Sequence, residues 1–327
     1  MKVFHGTTEI AGQMGILSEA LQKKGHYSIG YNTFHSYLGY EDHLVNTDEQ
    51  TIEQERENII RAFDVFHFHY GTTLSPGFED LEKISQLDKK MVMHHWGNDV
   101  RFHDIARIHN PYVYTGDSPP NEVMHERLTK MTRYIKQAIV QDYEMVPYVE
   151  NYYDHVHVVP IAIDLSQFTP VYPDPTKKRP LILHAPTNPD FKGTAHVENA
   201  IERLKKDYDF DYKRIEKLRH SEAIELYKEA DLIIDQVLCG SHGLLSVETM
   251  ALGKPVVTYI REDLVSRFPS ELPIVNANPD TLYDQVKKLL ENPSLRRTHG
   301  EQGRKYVEMY HSSDVVIEQL LAIYEQL

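Results

Sequence analysis

The stretch Asp231 to Ile260, DLIIDQVLCGSHGLLSVETMALGKPVVTYI, is compatible with few folds. Leu232 to Val237 and Pro255 to Ile260 are short apolar runs bounded by turn residues, which fits parallel strands covered on both faces. Between them, Gly240 and Gly243 permit close approach of backbone to a ligand. A helix starting near Gly243 aims its free N–H groups into that turn, a geometry suited to phosphate. Glu248 follows one turn later, on a helix whose inward faces are otherwise Leu, Val, Met and Ala. A carboxylate there is costly unless something donates to it, as ribose hydroxyls do in dinucleotide folds; the alternative is a solvent-facing position beside Ser246 and Thr249.

The same alternation of short apolar strands and amphipathic helices runs through the chain and predicts right-handed crossovers and parallel sheets. Strands are expected at Val3 to His5, Tyr27 to Tyr31, Val65 to His69, Met91 to His95, Ala138 to Gln141 and Val156 to Pro160, with helices at Gly12 to Lys24 and Glu49 to Phe63. A second alternating set begins at Leu181 to His184 and continues near Ile215, Leu232 to Val237, Val256 to Ile260 and Ile274 to Asn276. Between the two sets lies FTPVYPDPTKKRP, Phe168 to Pro180, whose prolines mark an interdomain linker. A length of 327 residues suits two domains that each bury a core.

Composition excludes several classes of function. A net charge of −14 argues against a protein that wraps nucleic acid, although Lys177, Lys178 and Arg179 form a local basic patch that permits peripheral membrane contact. No run approaches the ~18 apolar residues of a membrane span. The chain opens on a strand-like KVFHG with no apolar leader, and its single cysteine, Cys239, suits a reducing compartment, so a cytoplasmic location is expected. His67 with His69 and His155 with His157 project in pairs from strand faces, but no third ligand at fixed spacing accompanies them, and no metal is expected. The Asp-x-Asp element in DYDFD, Asp207 to Asp211, reads as a solvated connection.

GSHGLLSVETMALGKPVV resembles the donor-site signature of the family-4 retaining glycosyltransferases, with Glu248 at the family's second glutamate and Met250 to Val257 at its Ala-x-Gly-Lys-Pro-Val entry. Gly240 stands where the first glutamate is usual, with Asp235, Ser241 and His242 the nearest polar side chains to compensate for it. Four further segments are similar in order: HGTTEIAGQMGILSEALQKKGH (His5 to His26), DVFHFHYG with HHWGNDVR (Asp64 to Gly71, His94 to Arg101), VVPIAIDLSQF (Val158 to Phe168), and HAPTNPDFKGT (His184 to Thr194). The last carries Lys192 at the family's phosphate-binding lysine, without the arginine that commonly precedes it.

The resemblance implies an α/β chain of the GT-B fold, two Rossmann-like, doubly wound parallel-sheet domains facing across a cleft. It places an acceptor-side domain at residues 1–165, a linker at 166–180 and a donor-binding domain at 181–311, with a last helix, 312–327, returning to the first domain. It implies a retaining, metal-independent hexosyltransferase that needs no cofactor and moves a sugar from a nucleotide diphosphate sugar, UDP-sugar favoured. The acceptor is a saccharide, lipid-linked or small-molecule hydroxyl, in bacterial surface or spore polysaccharide synthesis. His95, Asp99 and Lys192 are the catalytic candidates. Gly12, Gln13, Lys192, Gly243, Leu244, Leu245 and Glu248 are donor-binding candidates, with Ser241 and His242 facing the donor sugar. A non-catalytic nucleotide-sugar-binding scaffold and a nucleotide-sugar epimerase are the alternatives on the same fold.

Overall fold

The computed structural model describes residues 1–327 and resolves two compact units. Unit 1 comprises Met1–Ile105, Ser118–Ala162 and Ser313–Leu327, and unit 2 comprises Ala106–Asp117 and Ile163–Ser312. In chain order the first part runs β1 (Lys2–Thr7), α1 (Gln13–Lys23), β2 (Tyr27–Asn32), β3 (Leu44–Asn46), α2 (Glu49–Ala62), β4 (Val65–His69), α3 (Glu79–Gln86), β5 (Lys90–His95), α4 (His103–His109), α5 (Asn121–Met131), β6 (Gln137–Val140), α6 (Val146–Val149) and β7 (His155–Val158). It continues with β8 (Leu181–His184), α7 (Pro189–Lys192), α8 (Thr194–Leu204), β9 (Asp211–Arg214), α9 (His220–Glu229), β10 (Leu232–Ile234), α10 (Leu244–Ala251), β11 (Val256–Thr258), α11 (Glu262–Val265), β12 (Val275–Asn276), α12 (Leu282–Glu291), α13 (Pro293–Tyr310) and α14 (Ser313–Gln326).

Unit 1 holds a seven-stranded parallel sheet in the order β3-β2-β1-β4-β5-β6-β7. Val3, Val65 and Val92 belong to an apolar cluster that includes Leu17 and Leu21 of α1 and Val316, Leu320 and Tyr324 of α14. The last helix therefore belongs to unit 1, because its apolar stripe completes that core. Unit 2 holds a five-stranded parallel sheet, β12-β11-β10-β8-β9, whose core joins Ile182, Leu232, Ile234 and Val257 to Val197, Ile201 and Leu204 of α8 and Val286 and Leu289 of α12. In unit 1 the strand order reverses between β1 and β4; in unit 2 it reverses between β8 and β10. Open parallel sheets bind ligands outside the carboxyl ends of the strands at that reversal.

Three details differ from the sequence expectations. β3 lies inside the loop assigned to the acceptor side, pairing Leu44 with Gly30 and Asn46 with Asn32. Residues 106–117, expected in the first domain, group with unit 2, because Asn110 Nδ2 donates to the carbonyls of Leu238 (2.8 Å) and Cys239 (2.9 Å). The proline-rich segment is fixed to unit 2 rather than free: Val171 N–H donates to Leu252 O at 2.8 Å, and Lys177 pairs with Asp231 at 2.5 Å. Arg179 is likewise engaged by Asp209 and Asp211, which neutralises most of the basic patch and two of the three aspartates of DYDFD.

Helix α13 holds α10 in place through two glycines. A Cβ on Gly303 would sit 3.0 Å from Met250 Cγ, and one on Gly300 would sit 2.1 Å from Gly253 O, a backbone atom that has no room to yield. Gly300→Ala should therefore lower the unfolding free energy by about 1–3 kcal/mol, read from the urea midpoint. An unchanged midpoint would show that this helix contact is looser than described.

Candidate functional site

The site in unit 2 is assembled at the reversal between β8 and β10. Strand β8 ends at His184, which has no exposed surface; its Nδ1 donates to Ile234 O at 2.8 Å, and its Nε2 is 2.9 Å from Thr194 Oγ1 at the start of α8. Burial pushes this imidazole down to about 4, so it stays neutral and acts as a brace between β8, β10 and α8. Between His184 and Thr194 the chain forms the single turn α7, capped by Asn188, whose side chain accepts from Asp190 N–H and Phe191 N–H. The turn ends at Gly193, where φ is +77° and a Cβ would lie 2.6 Å from Val237 Cγ2, so glycine is required on both counts.

This turn delivers Lys192 to the ends of β10 and α10. Its Nζ donates to Asp235 Oδ1 at 2.7 Å and to Gln236 Oε1 at 2.8 Å. Asp235 is completely buried, and its second oxygen accepts from Ser246 Oγ at 2.6 Å. Gly243 caps α10 without a side chain. No protein acceptor takes the N–H groups of Leu244 and Leu245, so the positive end of this helix lies open beside a lysine.

Glu248 is 4% exposed, which removes the solvent-facing alternative. Its Oε1 is 2.5 Å from His220 Nε2, a contact from the start of α9 that no sequence pattern announces. Burial works to lower His220, but the hydrogen bond and charge of Glu248 outweigh it and hold the imidazole above its ordinary value. Glu248 Oε2 has no protein donor and remains available to a hydroxyl. Ser241 is buried, and its carbonyl accepts from Gln236 Nε2 at 2.5 Å. The His242 ring packs against Phe268 and His311, burial lowers it to about 3, and its Nδ1 is buried without a hydrogen-bond partner. Gly240 has φ +88°, and the space a Cβ would need is taken by Arg261 Cγ, at 2.5 Å. Arg261 and Asn110 together explain why no larger residue stands there.

In unit 1 the start of α1 is largely closed by its own chain. Gly12 does cap α1, with φ +76°, but the helix amides behind it are already taken. Gln13 N–H donates to Ile10 O, Met14 N–H and Gly15 N–H donate to the two carboxyl oxygens of Glu9 at 3.3 Å, and Ile16 N–H donates to Gly12 O. Gln13 turns its amide onto the backbone of Ala162, donating to the carbonyl at 3.0 Å and accepting from the N–H at 2.9 Å. Gln13 therefore presents no free donor to a diphosphate, while the N–H of Gly12 has no protein acceptor.

His95 and Asp99 do meet, His95 Nδ1 lying 2.6 Å from Asp99 Oδ2, while the other ring nitrogen lies 2.8 Å from Tyr153 OH. All three are buried. Asp99 Oδ1 accepts from Trp96 N–H and Gly97 N–H, so the carboxylate secures the turn after β5 rather than capping a helix at Val100. Beside the β1/β4 reversal, a cavity of about 220 Å³ is lined by residues that include Thr7, Thr8, Thr33, Thr72 and Arg127.

The third histidine that His67 and His69 lack in sequence is supplied by the fold. His5 pairs with His67 across β1 and β4, and the ligand atoms of His5, His67 and His69 lie within 4.8 Å of one another. Hydrogen bonding decides what these rings do. Trp96 Nε1–H donates to His69 Nδ1 at 3.1 Å, and burial keeps His69 well below its ordinary value, so its one proton sits on Nε2 and is donated to His5 Nδ1 at 3.0 Å. That leaves His69 no lone pair for a cation. His67 bridges Tyr324 OH of α14 (2.6 Å) and His94 Nδ1 (3.2 Å), so the array ties three strands to the last helix.

Residues 179–322 match a family model described as glycosyl transferase-like. Over 138 residues the chain is 28% identical to the capsular polysaccharide biosynthesis glycosyltransferase CapM of Staphylococcus aureus; the match covers 40% of this chain and 36% of that protein. Among solved structures, a glycosyltransferase from Rickettsia africae aligns with a TM-score of 0.68 at 15% identity, covering 99% of this chain and 97% of that one. Anabaena HepE, solved in complex with UDP-glucose, aligns with a TM-score of 0.65 at 11% identity, covering 99% of both chains. The fold is GT-B, and the glycosyl transferase-like match is confined to residues 179–322. No helix is long and apolar enough to cross a membrane.

Two titrations follow from this geometry. His220 should titrate above the usual histidine value by NMR and fall below it in Glu248→Gln, where only the lowering effect of burial remains. Burial raises Glu9 from 4.5 to about 8 against the opposing pull of the α1 amides. A raised folded value contributes stability that is complete below the unfolded value and is lost as pH rises through the folded one. Between pH 4.5 and pH 8, wild type should therefore lose on the order of 3 kcal/mol relative to Glu9→Gln in urea unfolding. Parallel pH profiles for the two proteins would show that Glu9 is not held protonated.

Proposed function

We propose that this chain is a glycosyltransferase that takes its sugar from a nucleotide diphosphate donor, with unit 2 holding the diphosphate. The observation that carries the reading is that Lys192 and the first turn of α10 are joined through one buried carboxylate, Asp235, at the strand-order reversal of unit 2. A diphosphate leaving group gains negative charge as its glycosidic bond breaks, and a fixed ammonium beside two free backbone amides stabilises that charge at no cost in reorganisation. Such a site asks for no metal and no cofactor. Glu248 Oε2, one turn into the same helix, is placed to accept from ribose hydroxyls.

The donor is a UDP-sugar on this reading, supported by the likeness to HepE, which was solved with UDP-glucose. The likeness to CapM supports an acceptor of saccharide type in surface polysaccharide synthesis. Family resemblance adds retention of configuration, with the leaving phosphate oxygen taking the acceptor proton. His95 enters that chemistry only if Tyr153 OH gives up its ring nitrogen, so on this reading His95 and Asp99 secure the turn after β5. One observation favours a binding-only scaffold: the Lys192 ammonium is already engaged by Asp235.

Thermal unfolding in the presence of chelator, with UDP, GDP and ADP and their glucose conjugates, tests the reading, because a ligand of the folded state raises the midpoint by mass action. The UDP series should raise it, and Lys192→Ala should weaken UDP binding and cut the release of UDP from UDP-glucose by about a hundredfold. Stabilisation by UDP without release of UDP to any acceptor would favour the scaffold. Indifference to all three series would remove the diphosphate site altogether.

A further inference from the structure

A single carboxylate joins the two halves of the candidate diphosphate site. Asp235 follows β10 and is wholly buried; one oxygen accepts from Lys192 Nζ at 2.7 Å, and the other accepts from Ser246 Oγ, in the first turn of α10, at 2.6 Å. Ser246 Oγ also lies 2.9 Å from Thr258 Oγ1, the last residue of β11. Gln236 repeats the arrangement, accepting from Lys192 Nζ at 2.8 Å while its Nε2 donates to Ser241 O in the turn before the helix. A lysine on a four-carbon stem is a mobile point charge unless something holds it. Holding it does not require a buried charge, since carbonyl oxygens suffice, and a buried carboxylate is costly unless each of its oxygens is met. Here both are met, and the two donors come from the two elements that would contact one diphosphate.

We infer that Asp235 is a positioning residue for the diphosphate of the donor: it fixes the Lys192 ammonium against the α10 N-terminus and tempers its pull on the bound substrate before the bond breaks. The inference rests on the reading that Lys192 and α10 hold the diphosphate. Two consequences of opposite sign follow. The carboxylate competes with the incoming diphosphate for the ammonium, which weakens ground-state binding. It also places the ammonium where charge develops, which speeds the reaction.

Asp235→Asn separates these effects, because the amide oxygen still accepts from Lys192 and the amide nitrogen can donate to Ser246 Oγ, which continues to Thr258. UDP should bind about 3- to 10-fold more tightly to this variant, while release of UDP from the glucose donor that wild type hydrolyses should slow about tenfold or more. A residue with only a structural role would lower the melting temperature and weaken UDP binding with it. Tighter binding with slower turnover bears the inference out; weaker or unchanged affinity overturns it. Should Asp235→Asn not fold, Ser246→Ala carries the test, since it keeps the ion pair and cuts the link to α10. Turnover should then fall with UDP affinity within about twofold of wild type, and unchanged turnover overturns the inference. Wild type that binds none of UDP, GDP or ADP defeats the diphosphate reading and the inference with it, whereas binding that Asp235→Asn leaves unaltered defeats the inference alone.

Discussion

Parallel strands covered by helices on both faces leave polar side chains little room except at the carboxyl ends of the strands. Unit 2 obeys this closely. Val197, Ile201, Leu232, Ile234 and Val257 fill the body of its sheet, and the polar groups His184, Asp235 and Thr258 appear where β8, β10 and β11 stop. Gly193 and Gly243 then allow backbone to come close at the same end. The site follows from the architecture, since the reversal of strand order between β8 and β10 is where two polar strand ends open toward different helices. Unit 1 departs from the rule. His5, His67, His69 and His94 lie deep in its sheet, and they are tolerated because burial keeps them neutral and all their ring nitrogens except Nε2 of His5 and Nε2 of His94 are spent on one another, on Trp96 and on Tyr324.

Buried carboxylates explain why apparently equivalent helix starts differ in what they can do. Glu9 occupies the start of α1, and burial keeps it largely protonated at neutral pH. Asp99 collects the amides of Trp96 and Gly97 after β5. At α10 the acid lies behind the helix rather than on its axis: Asp235 reaches Ser246 Oγ and Lys192, and the amides of Leu244 and Leu245 are left for something else.

The sequence showed the strand and helix alternation because buried parallel strands are written as apolar runs, and β1, β4, β5, β8, β10 and β11 all fall where such runs stand. β3 escaped because Leu44–Asn46 is too short and too polar to stand out. Lys192 and Glu248 were found by motif, and Asp235 only as a neighbour of Gly240. The roles of Glu9, His220 and Gln236 were hidden because each depends on a hydrogen bond whose geometry no spacing rule encodes. His5 was missed as the third member of the histidine array for a related reason, since its register with His67 joins positions 62 residues apart. That Glu9 takes the Met14 and Gly15 amides behind Gly12 was equally hidden, because a glycine turn before a helix reads the same whether or not a buried carboxyl fills it.

The central claim is that the α10 N-terminus is an anion site. Amide hydrogen exchange of the protein with and without UDP measures this directly at the backbone concerned. On this account UDP slows exchange at Leu244, Leu245 and the Lys192–Gly193 turn, and leaves the Met14 and Gly15 amides, held by Glu9, unaffected. Protection that appears at Met14 and Gly15 while Leu244 and Leu245 exchange as before would contradict it.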